Sequence, residues 1–432
     1  MTAIASSLRP GVALRSLQAT RWPVVLPVLL MVVSDFDFRQ RLETESLSGR
    51  PDVAVLFEVA VYGIVGLFLL NVYIQCPSRV RTAPAIVALW GFGVTMMVSA
   101  ILAPYPTMGI VRGGQLLVMC LLAAMLASWA TREHVGDTFH LFVIVVAAAV
   151  AFGVVFPFPA VSHLSAGRFT WLYVHPTISG VYLAIAFVIA LGLSLRPAEQ
   201  VRWARGIYLL LAFVFAFSLY KSQTRGSIAG AVVGAIVIAI ASSPRRNRPG
   251  RILTVVAGAV LIVLVAGGGI ARYLAREEST ETLATLNSRT QLWTEAWRFY
   301  SERPVSGWGL GATRGVFLES TGLGGGHNAF VNVLVDGGLA GVVWWVATIL
   351  CVIVATWKLA RVAGWRDEVP IMAGILALLL VNSVTVEGLG AVANISSMWL
   401  ITIAGWTAAG LRTRANRRAG PPVRPPARPA PV

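Results

Sequence analysis

Long apolar runs alternate with short polar connections along most of the chain. They fall at about 22–34, 53–75, 84–104, 111–130, 138–157, 176–195, 206–220, 226–242, 252–270, 339–358, 370–386 and 393–411. Their length suits helices that cross a bilayer, and none shows the alternation of a half-buried strand. The pattern predicts an all-α, polytopic integral membrane protein with about twelve transmembrane helices. The first run, 22–34, is short and holds a proline, with no small-residue cleavage site after it, so it reads as a first span and not as a cleaved leader.

One polar stretch, 288–341, breaks this rhythm and gathers ionisable and aromatic residues where its surroundings have almost none. Ser288 followed by Gln291 is a capping-box pattern, and the helix it starts carries Trp293, Ala296, Trp297 and Tyr300 at one-face spacing. Arg289 falls in the first turn, where free backbone N–H groups and a guanidinium fork could seat a phosphate or diphosphate. A solvated arginine on an interfacial helix fits the same pattern. Pro304 ends the helix, and the glycines at 307, 309 and 311 make the next segment rich in turns without the context of a dinucleotide fingerprint. After three glycines come His327 and Asn328, then an apolar helical run from 329 to 335 closed by Asp336, Gly337 and Gly338. His327 is thereby placed near a helix N-terminus, whose dipole disfavours imidazolium and leaves a neutral ring able to accept a proton. A histidine that only hydrogen-bonds its own loop has the same sequence.

Composition narrows the class. The chain is 56% hydrophobic and 12% charged, with mean hydropathy +0.74, which excludes a soluble domain with a polar shell. Its formal charge of +16 does not imply nucleic acid, because most arginines sit in short connections between apolar runs. Arg79 and Arg81, then Arg196, Arg202 and Arg205, then Arg245, Arg246, Arg248 and Arg251, then Lys358, Arg361 and Arg366 fall on one side, which the positive-inside rule makes cytoplasmic. Both termini join that side: a cytoplasmic segment 1–21 precedes helices 1–9 over 22–270. A large extracytoplasmic loop spans 271–338, helices 10–12 occupy 339–411, and 412–432 is an Arg- and Pro-rich disordered tail beside anionic headgroups. The connection 131–137 is nearly neutral and assigns neither side.

Other polar groups share the outer end. Arg225 opens the run at 226, with Lys221 one turn earlier, and Arg168 and His175 lie in the preceding outer connection. Lys221 reads as a snorkelling side chain, Arg168 fits that role too, and His175 before Pro176 fits either a helix cap or a ligand group. The acid pair Asp35 and Asp37 has the spacing of metal carboxylates but sits in a mixed-charge run that reads better as a wet loop. Five histidines and three cysteines form no metal-ligand spacing, so neither metal nor disulfide is expected.

The order Arg289, Trp293, Ala296, Pro304, Gly307, Gly309, Gly311, His327-Asn328, Asp336-x-Gly338-x-x-Gly341, with Ser222-x-x-Arg225-Gly226 upstream, resembles the O-antigen ligase and polymerase superfamily of bacterial polytopic membrane proteins. Asp336 stands where that family usually has Glu. The resemblance implies a glycosyltransferase of the inner membrane that moves a glycan from a polyprenyl-diphosphate carrier to a lipid or glycan acceptor on the outer face. It implies no cofactor. Under it, Arg225 and Arg289 hold the diphosphate, His327 is the base, and Arg314, Trp293, Trp297, Asn328, Arg168 and His175 contact substrate. A ligase and a polymerase differ only in the acceptor, and the sequence does not separate them. A transporter for the same glycans would carry its polar groups on broken helices at mid-membrane instead.

Overall fold

The computed structural model describes residues 21–34, 51–76, 83–156, 167–170, 175–196, 202–247, 249–254, 257, 268–269 and 289–418. Among these there is no strand. The helices are α1 (Trp22–Ser34), α2 (Val53–Gln75), α3 (Pro84–Ile101), α4 (Pro106–Trp129), α5 (Arg132–Val155), α6 (Pro176–Ser194), α7 (Arg202–Ser222), α8 (Arg225–Ala241), α9 (Arg289–Glu302), α10 (Ala312–Thr321), α11 (Ala329–Leu359), α12 (Val369–Asn382) and α13 (Ile395–Arg418). Seven of these are long and apolar enough to cross a membrane, and α1, α8 and α12 are shorter apolar helices. The run expected at 252–270 lies largely outside the described residues, as do the Asp35/Asp37 pair and both chain ends. The last helix continues to Arg418, past the boundary expected at 411.

Proline at the first turn starts α3, α4, α6 and α12, where its fixed φ suits the helix and its missing N–H costs nothing. At the centre, α6 is buried over most of its length, and Trp399 and Trp406 of α13 pack edge and face against Phe139 and Phe142 of α5. The outward face of α7, with Trp203, Ile207, Leu210, Phe213 and Phe217 exposed, has the apolar surface that lipid would cover.

The pairing of α8 with α12 matters most for the site. Glycines at 226, 230 and 234 recur every fourth residue and bring the backbones together: a Cβ at Gly234 would lie 2.8 Å from the Gly374 carbonyl oxygen, and one at Gly230 2.9 Å from that of Leu378. Close approach here sets where the start of α8, and so Arg225, meets the end of α12.

The arginine-bearing connections gather at one end of the bundle. Arg132 bonds Asp367 at 2.8 Å and Glu368 at 3.0 Å, Arg196 lies 3.7 Å from Glu368, Arg412 donates to the Ser128 carbonyl, and Arg21 pairs with Asp137. Glu368 is buried, and desolvation raises its carboxyl above the ordinary range against the pull of Arg196 and Arg132. These contacts also bring the neutral 131–137 connection to the arginine end.

At the opposite end, α9, α10 and the first turns of α11 form a small layer with its own core of Leu292, Ala296, Phe299, Val316, Phe317, Val331 and Val335. The packed face of α9 is therefore Leu292, Ala296 and Phe299 with Trp293 partly buried beside them, so of the expected face of Trp293, Ala296, Trp297 and Tyr300 the first two pack inward. Phe299 meets Phe317 and Trp308 edge-on, which leaves Trp297 outside, 64% exposed and tilted against Tyr300.

Candidate active site

The turn between α7 and α8 is the first wall of the site. Gln223 takes a left-handed φ of 52° so that the chain reverses within a few residues. Arg168 folds onto this turn, donating from Nε to the Ser222 carbonyl at 2.9 Å and from a terminal nitrogen to Thr224 Oγ1 at 3.5 Å. Phe169 N–H covers the Lys221 carbonyl. Thr224 in turn donates to the Pro176 carbonyl at 3.0 Å, which joins the start of α6 to the start of α8. Arg168, expected to touch substrate, thus spends its guanidinium largely on the carbonyl end of α7. Arg225, half-buried, is the first residue of α8.

His175 caps α6. Its Nδ1 accepts the Thr177 N–H at 3.2 Å, satisfying one of the orphan donors of the helix start. The residue is exposed, yet desolvation, then the charge of Arg168, then that of His327, hold its imidazole below the ordinary range.

The second wall is the start of α11. Asn328 is its N-cap: Oδ1 accepts from Phe330 N at 2.9 Å and Val331 N at 3.2 Å, while Nδ2 donates to the Val384 carbonyl at 3.2 Å. Ala329 N–H bonds the Ser383 carbonyl at 2.9 Å. His327, immediately before the cap, has φ 48°. Ala393 does the same, with φ 55°, before Asn394, the residue whose Oδ1 accepts the Ser397 N–H at the start of α13. A left-handed residue ahead of an asparagine cap is therefore a chain geometry used twice, and an alanine serves as well as a histidine. The side chain of His327 is what its position leaves to explain. The ring is half-buried, and no hydrogen bond from it is seen among the described residues.

Both walls rest on the end of α12. Ser227 donates to Asn382 Oδ1 at 3.3 Å, a Cβ at Gly226 would run into Thr385, and Ser383 and Val384 carry the start of α11. Asn382 is fully buried, and its Nδ2 has no partner among the described residues. A little further on, Glu387 presses against Gly325, where a Cβ would meet its carboxylate, and Asn332 Oδ1 holds the Gly326 N–H at 2.9 Å. Asn382, Thr385 and Glu387 are site residues that span counting passed over. The signal was available: polar and ionisable residues at the end of an apolar run are functional candidates by default.

Three helix starts, those of α6, α8 and α11, thus point their positive ends into one patch with Arg225, His175 and His327. The carbonyl ends of α7 and α12 that share the patch are covered by Arg168, Asn328 and the Ala329 N–H.

Asp336 has a different task. Its carboxylate accepts from Gly311 N at 2.9 Å and Thr313 N at 2.8 Å, capping α10 from a distance. Trp308 N–H bonds the Val335 carbonyl and Gly309 N–H that of Asp336, both at 2.8 Å. Gly338, with φ 57° and ψ −158°, then breaks α11 so that Leu339 N–H reaches the Pro304 carbonyl. The glycine-rich turn and the acid-x-Gly motif are two halves of one splice that sets the α9–α10 layer on the bundle.

Arg289 is the first residue of α9, Arg314 is exposed on α10, and Trp293 is half-buried with its indole N–H unpartnered among the described residues. These belong to the α9–α10 layer, joined to His327 through Val331 and Val335. Trp297 faces outward on it. Among the described residues no three His, Cys, Asp or Glu side chains group as a metal site.

Compared with known families, residues 207–346 match the family model described as O-antigen ligase. This region belongs to the O-antigen ligase family. Comparison with individual curated proteins gives no match. The O-antigen ligase region takes in Arg225, Arg289, Arg314, His327, Asn328 and Asp336, and stops short of Arg168, His175 and Glu387 on either side. Seven apolar helices of spanning length, together with this match, suggest a multi-pass membrane protein that carries an O-antigen ligase region.

Proposed function

We propose that the protein transfers a glycan from a polyprenyl-diphosphate carrier to an acceptor hydroxyl at the outer face of the bacterial inner membrane. The observation that carries this reading is the junction at the end of α12, where the helix of Arg225 and the cap beside His327 meet inside the family-matched region. A sugar diphosphate leaves as an ionised group, so the reaction calls for cations on the diphosphate more than for a general acid. Arg225, Arg289 and three helix N-termini supply that charge. The acceptor oxygen bonds the anomeric carbon as the carbon–oxygen bond to the diphosphate breaks. The electron pair leaves on the diphosphate, and the hydroxyl proton passes to His327. Trp293, Trp297 and Arg314 line the path of the glycan on the α9–α10 layer, and Asn328 holds His327 in place. The charged groups lie at helix ends, which favours this over a transporter with a midplane site.

The test is His327→Gln in a reconstituted transfer assay. Glutamine keeps a hydrogen bond but takes no proton at neutral pH. Transfer is expected to fall by about 10² to 10⁴ while binding of lipid-linked donor stays near that of the parent. Parent-like turnover would remove His327 from the chemistry.

A further inference from the structure

His175 lies outside the family-matched region and closes the site from the α6 side. Its Nδ1 lone pair is used by the Thr177 N–H, which places the ring proton on Nε2. A ring in that tautomer cannot serve as a second base through Nδ1, and it presents an N–H at its far edge. The bond from Thr224 to the Pro176 carbonyl fixes this ring beside the turn that carries Arg225, and Arg168 is bound to the same turn.

We infer that His175 is a neutral hydrogen-bond donor to the lipid diphosphate, giving its Nε2–H to a phosphate oxygen while its Nδ1 caps α6. Neutral imidazole adds a directed donor without adding a third charge next to Arg168 and Arg225, and donation to an anionic oxygen is among the stronger hydrogen bonds. The two histidines then divide the work: His327 receives a proton and His175 keeps one. The inference rests on the proposed polyprenyl-diphosphate chemistry.

Asparagine separates the two roles of His175, because it is a first-rank N-cap but its short side chain ends at the cap. The full-length protein in lipid nanodiscs is titrated with polyprenyl diphosphate bearing no glycan, and thermal unfolding is followed in parallel. His175→Asn is expected to unfold at the parent's temperature and to bind about ten- to a hundredfold more weakly, the loss of one hydrogen bond to a charged group. His175→Ala should bind as weakly and also unfold earlier. Parent-like binding by His175→Asn, with binding lost in Arg225→Ala, would overturn the donor role and leave the diphosphate site standing. If neither variant alters binding, the diphosphate site itself is wrong and the inference falls with it.

Discussion

At the scale of single residues, charge and backbone geometry decide function more than residue type does. Asp336 and Glu387 are both acids at the outer end, yet Asp336 has both oxygens occupied by Gly311 and Thr313 N–H groups and so serves architecture. Asp336→Asn keeps one acceptor oxygen and turns an amide N–H toward a backbone N–H. Stability in detergent is expected to fall by about 1–3 kcal/mol, the cost of one buried donor left unpaired. A melting temperature equal to the parent's would show that the splice between the glycine turn and α11 holds without this carboxylate. His327 was legible in the sequence as a helix-start histidine, because caps and glycine runs are local signals. His175 was legible as a cap in the same way, since it accepts the Thr177 N–H, but the joining of Arg168 and the start of α6 to the α7–α8 turn was not, because those segments lie tens of residues apart.

Elements were legible wherever length and apolarity speak for themselves, and misread where side chains compete with the backbone. Hydropathy carries the run that starts at 370 to Val386, but Ser383 returns its hydroxyl to Leu379 and Thr385 to Asn382, and α12 ends at Asn382. That early end is what frees the 383–387 segment to hold both walls of the site. On α9 the expected face holds for Ala296 and Trp293 and fails for Trp297, because an aromatic residue does not by itself point inward. Phe299 packs on Phe317 and Trp308, while Trp297 lies outside the cluster and is exposed. The same reasoning sets a prediction on α8. Gly234→Leu would force side-chain carbons into the Gly374 backbone and push α8 away from α12, at a cost of about 1–3 kcal/mol or more. Gly63→Leu on α2, where a Cβ meets nothing within 4 Å, is the control. Transfer activity should be lost with the first and kept with the second. Equal behaviour of the two would show that the α8–α12 contact does not position Arg225.

Across the whole molecule, the two ends differ in kind. One gathers Arg21, Arg132, Arg196 and Arg412 with their carboxylate and carbonyl partners, in short connections of the sort that stay on the cytoplasmic side. The other holds His175, Arg168, Arg225 and His327 around converging helix starts. The sequence could assign most connections by arginine content, but not 131–137, whose place comes from Arg132 reaching Asp367 and Glu368. The positive-inside rule predicts that the arginine end faces the cytoplasm. An alkaline phosphatase fusion at Gly322, between α10 and α11, should be active because the enzyme folds only outside the cytoplasm. One at Asn247, just beyond α8, should be inactive. The reverse pattern would put the site in the cytoplasm, where the arginine rule and the proposed transfer to an outer-face acceptor would fail together. Activity at both positions would instead mean that the segment between them does not cross the membrane.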